Sequence, residues 1–142
     1  MKQAVIDIGS NSVRLTLYKI DGRRFKIIFR EKIMAGLAGY VENGALSPEG
    51  IKCACAALFE FRHTLETLII SKTAVFATAS LRNISNTEEA LSEIESATGF
   101  TVEIISGEEE AQLGYIGAMQ ELNISEGAFV DVGGASTEVV IF

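Results

Sequence analysis

This chain is read as an α/β domain in which helices flank a mixed β-sheet, and three patterns carry that reading. Apolar, β-branched runs of strand length alternate with helix-length stretches in the order β-β-β-α-β-α-β-α-β-β. Such an order gives both antiparallel and parallel strand neighbours, with helices packed on the faces. Clusters of Gly, Ser, Asn and Asp separate the runs. Residues 4–18 also return as residues 128–142 at a constant offset of 124, with Ala, Asp, Gly and Ser recurring at matching places.

Residues 3–8, 13–20 and 25–34 read as strands, split by the turns Gly9-Ser10-Asn11-Ser12 and Asp21-Gly22-Arg23-Arg24. Gly36, Gly39 and Gly44 then mark a loop. Ser47 ahead of Pro48 and Glu49 starts a helix: a hydroxyl cap, a proline in the first turn and an acid at the positive dipole end. That helix is expected to reach about residue 70, with Ile51, Cys55, Leu58, Leu65 and Ile69 near helical spacing. Residues 73–79 form a short strand, and a loop through residue 83 carries Arg82. Asn86 or Thr87 caps a second helix, which Gly99 ends; residues 100–105 form the next strand. Ser106-Gly107 turns into a third helix over about residues 108–122, and residues 128–131 and 137–142 close the pattern. With one proline and no low-complexity segment, no internal boundary is expected. The strand running into Phe142 without closing polar residues predicts that residues 1–142 are one domain of a longer protein.

Composition excludes several classes. At 142 residues, 48% hydrophobic and 22% charged, the chain can bury a core and is neither disordered nor fibrous. No apolar run reaches the roughly 18 residues of a membrane span, and the N-terminus has no signal-peptide pattern. A net charge of −7 argues against nucleic-acid and anionic-membrane partners, which rely on Lys/Arg patches. Cys53 and Cys55, two residues apart on a helix, cannot share a metal ion; reduced thiols in a cytoplasmic protein are expected.

Chemistry concentrates in three places. Asp7 ends a strand and Gly9-Ser10-Asn11-Ser12 offers a tight turn with backbone N–H groups, a set that can ring a phosphate. By itself this also fits a polar hairpin turn. The second copy, Asp131-Val132-Gly133-Gly134-Ala135-Ser136, strengthens the phosphate reading, because turn chemistry does not need an Asp at the same register twice. Glu108, Glu109 and Glu110 open a helix, where acids complement the dipole, yet three exceed what the dipole needs. One of them near a bound phosphate could take a proton from an attacking water. Arg82, leaving a strand, is either an exposed loop residue or a bidentate phosphate ligand. His63 reads as a partly exposed helix residue.

Val5-Ile6-Asp7-Ile8-Gly9-Ser10-Asn11-Ser12-Val13-Arg14-Leu15, Ala77-Thr78-Ala79-Ser80-Leu81-Arg82, Glu103 through Ala111, and Val130 through Glu138 resemble the exopolyphosphatase / guanosine pentaphosphate phosphohydrolase family. The resemblance covers nearly the whole chain, with its motifs in order. It implies a ribonuclease-H-like domain of the actin, sugar-kinase and heat-shock-chaperone ATPase superfamily, and Mg²⁺-dependent hydrolysis of a terminal phosphoanhydride in polyphosphate or guanosine pentaphosphate. It assigns Ser10, Asn11 and Ser12 to the first phosphate loop and Gly133, Gly134, Ala135 and Ser136 to the second. Asp7 and Asp131 match the acids facing the metal or its waters, Glu110 the base that activates water, Glu138 a further acid at the site, and Arg82 a phosphate-facing arginine.

Two departures stand out. Ala135 replaces a glycine usual in the second loop, which keeps the loop small at a modest conformational cost. Family members also continue into at least one further domain, and the active site lies in the cleft between the halves. Residues 1–142 are therefore expected to carry most of the catalytic residues but one wall of the site, with weak or no turnover alone and a homodimer formed through the further domain. A kinase or ATPase of the same superfamily, and a non-catalytic sensor of guanosine tetraphosphate, are the competing readings.

Overall fold

The computed structural model describes residues 1–120, 122 and 124–142. Its order is β1 (Lys2–Ile8), β2 (Val13–Asp21), β3 (Arg24–Ile33), a 3₁₀ turn (Leu37–Tyr40), β4 (Val41–Glu42), β5 (Ala45–Leu46), α1 (Pro48–Thr67), β6 (Thr73–Ala77), α2 (Ala79–Arg82), α3 (Thr87–Thr98), β7 (Glu103–Ile104), α4 (Gly107–Met119), β8 (Ala128–Val132) and β9 (Thr137–Ile141). Five strands form one mixed sheet in the order β3-β2-β1-β6-β7. β1, β2 and β3 meander antiparallel, while β6 and β7 run parallel to β1. This is the expected ribonuclease-H-like sheet.

Sequence periodicity explains which face is buried. Alternate residues of β1 and β2, namely Ala4, Ile6, Ile8, Val13, Leu15 and Leu17, are at most 3% exposed. Against them pack Ile51, Ala54, Leu58, Phe61 and Leu65 of α1 and Ala90 and Ile94 of α3, at helical spacing. The Ser47 hydroxyl caps α1 by accepting from the Gly50 N–H at 3.3 Å, and Gly99 ends α3 in the left-handed conformation at φ 66°.

Several boundaries differ from expectation. α1 ends at Thr67, because Ile69 turns left-handed at φ 55° and the Ile70 N–H donates back to the Leu65 carbonyl. The strand expected over residues 73–79 stops at Ala77, and the residues after it form the short helix α2 instead of a loop. There the Leu81 and Arg82 amides both donate to the Thr78 carbonyl, and the Ser80 hydroxyl anchors the helix to the Ile8 carbonyl at 2.6 Å. Of residues 100–105 only Glu103 and Ile104 pair with β6. Asn86 precedes α3 but its side chain bonds the Leu46 backbone, not the helix amides. α4 ends at Met119 with Gln120 as its C-cap, short of the expected end near residue 122; Leu122 is not helical, and Glu121 lies outside the described residues.

The larger difference concerns the repeat. β8 and β9 pair only with each other and do not join the main sheet. They lean on α4, with Phe129 and Phe142 against the Tyr115 ring at 6.4 and 4.8 Å. The opposite face of this hairpin is open: Val130, Val132, Val139 and Ile141 are 54–77% exposed.

Candidate active site

Three parallel strands end at the same edge of the sheet, so the segments leaving β1, β6 and β7 converge there. After β1, the Gly9 N–H donates to the Ser12 carbonyl at 3.1 Å, closing a turn so tight that a Cβ on Gly9 would lie 2.9 Å from that oxygen. The Asn11 and Ser10 carbonyls accept from Gly36 and Ala38 at 2.9 Å, so the loop after β3 braces the turn. Among the described residues, the Ser10 and Asn11 amides donate to no protein acceptor. Braced carbonyls and unpartnered amides make a ready anion cradle.

The second copy repeats this at atomic level. The Gly133 N–H donates to the Ser136 carbonyl at 2.9 Å, and the Gly134 and Ala135 amides likewise meet no acceptor among the described residues. The two turns face each other: a Cβ on Gly134 would lie 3.5 Å from the Cβ atoms of Ser10 and Asn11. Gly114 of α4 permits this approach, since a Cβ there would press on the Phe129 ring at 3.0 Å.

Between the turns lies a cavity of about 180 Å³. Asp7, Ser10, Asn11, Ser12, Glu110, Asp131, Gly133, Gly134, Ala135, Ser136 and Glu138 all line it. Arg82 does not. Its Nη1 donates to the Glu110 Oε2 and to the Ile105 carbonyl, both at 2.9 Å, with the two side chains about one-fifth exposed. Arg82 thus meets the cavity through Glu110, whose carboxylate it holds.

The three acids opening α4 separate into different tasks. Glu109 completes a capping box with Ser106: its carboxylate accepts the Ser106 N–H at 2.8 Å and its N–H donates to the Ser106 hydroxyl at 3.1 Å. Those bonds hold its carboxyl below the ordinary glutamate range. Glu108 is exposed, and Glu110 is the one turned toward Arg82 and the cavity.

Cavity residues to which the sequence assigned no ligand role are Gly9, Arg14, Thr78, Ala79 and Val132. The signal for Arg14 was present: it sits directly across the β1–β2 ladder from Asp7, with its Nε 3.9 Å from Oδ2.

The carboxylates suit a hard divalent cation. Burial pushes the Asp7 carboxyl above the ordinary aspartate range; Arg14 opposes this and the Asp131 charge adds to it. Asp131 and Glu138 stand directly opposite on β8 and β9, a like-charge pairing that is unfavourable in a sheet without a counter-ion. Among the described residues no three acidic, His or Cys side chains converge to cage a metal.

A sequence profile of the Ppx/GppA phosphatase family matches residues 16–142. A guanosine-5'-triphosphate,3'-diphosphate pyrophosphatase of Pseudoalteromonas atlantica is 33% identical over 140 residues, covering 97% of this chain and 28% of that protein. The crystal structure of an exopolyphosphatase from Cytophaga hutchinsonii superposes with a TM-score of 0.91 at 28% identity, over 99% of this chain and 46% of that one. The Aquifex aeolicus Ppx/GppA family member gives a TM-score of 0.86 at 33% identity, over 100% and 47%. The chain therefore spans about half the length of these solved structures and less than a third of that curated relative.

Proposed function

The chain belongs to the Ppx/GppA phosphatase family, and from that premise we propose that it forms the N-terminal part of a Mg²⁺-dependent hydrolase of terminal phosphoanhydride bonds, in polyphosphate or guanosine pentaphosphate. The observation that carries this reading is the pair of facing turns with unpartnered amides, sharing one cavity with Glu110. The terminal phosphate sits between the amides of Ser10 and Asn11 and those of Gly134 and Ala135, flanked by Ser12, Gly133 and Ser136. Asp7 and Asp131, with Glu138 beside them, would hold Mg²⁺, which would supply charge neutralisation for the phosphate.

Phosphoryl transfer asks for positioning and charge stabilisation more than covalent chemistry. Arg82 grips Oε2 of Glu110, which leaves Oε1 free to accept a proton from water. As the water oxygen bonds to the terminal phosphorus, that proton passes to Glu110 and the bridging P–O bond breaks toward the rest of the substrate. The relatives' greater length fits a second wall contributed by further chain, so residues 1–142 alone are expected to turn over weakly or not at all.

Phosphate release from polyphosphate and from guanosine pentaphosphate by the full-length protein tests this. Glu110→Gln should lower kcat by roughly 10²–10⁴-fold, the usual contribution of a general base. Unimpaired turnover in that variant would remove Glu110 from the role.

A further inference from the structure

The net charge of −7 hides a segregation. Eight of the twelve Lys and Arg residues fall in residues 1–33, against three acids, while the rest of the chain carries four bases and sixteen acids. At the end of the sheet where β1 begins, the strand register gathers part of that positive charge. Lys2 on β1 stands opposite Lys19 on β2, and Lys19 stands opposite Lys26 on β3. Directly opposed residues share a face, so the three lysines form a lateral row. The row lies on the face that carries α1, because Lys2 and Lys19 continue the alternation of the buried Ala4, Ile6, Leu15 and Leu17. Lys72 joins it: its carbonyl accepts from the Ala4 N–H at 2.9 Å, and its Nζ donates to the Met1 Sδ at 3.4 Å. All four lysines are exposed, and none forms an ion pair among the described residues. Asp21 at the end of β2 and Glu66 in the last turn of α1 are the acids nearest this end, where Arg23 and Arg24 add to the lysines. Like charges directly opposite in a sheet are unfavourable unless something outside neutralises them.

Beside this row α1 stops at a cost. The Ile69 N–H donates to the Glu66 carbonyl at 3.1 Å and the Ile70 N–H to the Leu65 carbonyl at 2.9 Å, a helix stop that requires a left-handed residue. Glycine usually fills that position, and here it is Ile69, a β-branched residue at φ 55°. Its side chain is 90% exposed, so no packing within the molecule offsets the strain. Leu68 before it and Met1 are also exposed apolar side chains. Three peptide steps keep Ile69 within about 11 Å of Lys72.

We propose that this end of the sheet seats on an anionic lipid bilayer, with Ile69 and Leu68 entering the interface and Lys2, Lys19, Lys26 and Lys72 meeting headgroup phosphates. The proposal goes beyond the hydrolase reading and does not depend on it. An apolar side chain held outward beside exposed cations is complementary to an apolar layer under a layer of anions. A polyanion in solution would use the lysines and leave Ile69 in water. β1 runs seven residues from Lys2 to Ile8, so the catalytic cavity lies about 20 Å away and stays open to substrate.

The test is co-sedimentation of the full-length protein with vesicles of phosphatidylcholine containing about 30% phosphatidylglycerol, against vesicles of phosphatidylcholine alone. Wild type should sediment with the anionic vesicles and stay in the supernatant with the neutral ones. Ile69→Gly should weaken binding about tenfold, the contribution of one apolar side chain. The same variant should raise the Tm, because glycine adopts the left-handed turn without strain, so lost binding cannot be lost folding. Lys2→Gln/Lys19→Gln/Lys26→Gln should weaken binding about 100-fold and flatten its salt dependence. Lys52→Gln, near the other end of α1, should bind as wild type. No preference for the anionic vesicles, or unchanged binding by Ile69→Gly, would overturn the proposal. Lipid-free self-association that Ile69→Gly abolishes would also overturn it, by giving this end to a second copy. So would a KM for long-chain polyphosphate raised about tenfold by the triple variant without vesicles, which would give the lysines to the substrate.

Discussion

Arg82 and Glu110 show how a local contact decides a role. An arginine that binds substrate phosphate acts mainly through KM, whereas one that fixes the base acts through kcat. With Nη1 shared between Glu110 and the Ile105 carbonyl, the second behaviour is expected. Arg82→Gln should lower kcat roughly 10- to 100-fold while leaving KM little changed, as misplacing a reacting group costs about that much. Arg82→Lys, which keeps the charge but not the two-acceptor geometry, should recover part of the loss. Steady-state kinetics on one substrate separates the cases, and a rise in KM at constant kcat would return Arg82 to the phosphate. The sequence marked Arg82 by type and position but could not reveal its partner. Residues 82 and 110 meet only through the packing of α2 beside the start of α4. Eleven of the twelve residues singled out from sequence nonetheless line one cavity, because their motifs end strands of one sheet or repeat such an end.

The two turns look interchangeable in sequence and differ in how tightly they are built. A Cβ on Gly9 would meet the Ser12 carbonyl at 2.9 Å, inside a hydrogen-bonded and braced turn. At Gly133 the same atom would stand 3.3 Å from the Ser136 carbonyl, in an exposed hairpin. Gly9→Ala should therefore destabilise by about 1–3 kcal/mol, the usual cost of an unaccommodated extra carbon, and Gly133→Ala by clearly less, as read by urea denaturation. The cap of α4 gives a second prediction. Ser106→Ala removes a capping hydroxyl and should cost about 1 kcal/mol. Its partner Glu109 has a lowered folded-state pKa, so its stabilising effect is fully present above the ordinary glutamate value of 4.5 and fades as pH falls through the lowered one. The Tm gap between wild type and Glu109→Ala should then be open at neutral pH and close under acid; a gap independent of pH would deny the capping role. Ser106-Gly107-Glu108-Glu109 spells a capping box, so the division of labour among the three acids was readable in advance. The end of α1 was not, since nothing in the identity of Ile69 signals a left-handed residue.

The repeat finally bears on how the molecule is completed. At the offset of 124, Val130, Val132, Val139 and Ile141 correspond to Ile6, Ile8, Leu15 and Leu17. The first set is 54–77% exposed and the second at most 3%, buried beneath α1. Two hairpins of the same pattern thus present the same apolar face, one covered and one bare. The other faces are also alike: Val5 and Tyr18 lie beside Leu113 and Ile116 of α4 around one depression, and Phe129 and Phe142 lie against α4 through Tyr115. Periodicity could specify which residues alternate in β8 and β9 but not that the pair would stand apart from the main sheet, because alternation says nothing about what lies opposite. An apolar face of this kind is stable in water only when covered, and the solved relatives have about twice this length to cover it. We therefore expect the effect of a charge on this face to depend on the length of chain that carries it. In the full-length protein, Val139→Lys or Ile141→Lys should behave like Leu15→Lys, placing an unpaired charge in a core and costing several kcal/mol, enough to abolish cooperative unfolding near the wild-type Tm. In the isolated 142 residues Leu15→Lys should remain as damaging, whereas Val139→Lys should leave the Tm nearly unchanged and reduce self-association measured by light scattering. Equal tolerance of Val139→Lys at both lengths would show that the hairpin face stays open to solvent, and that its match to the first core is a matter of sequence alone.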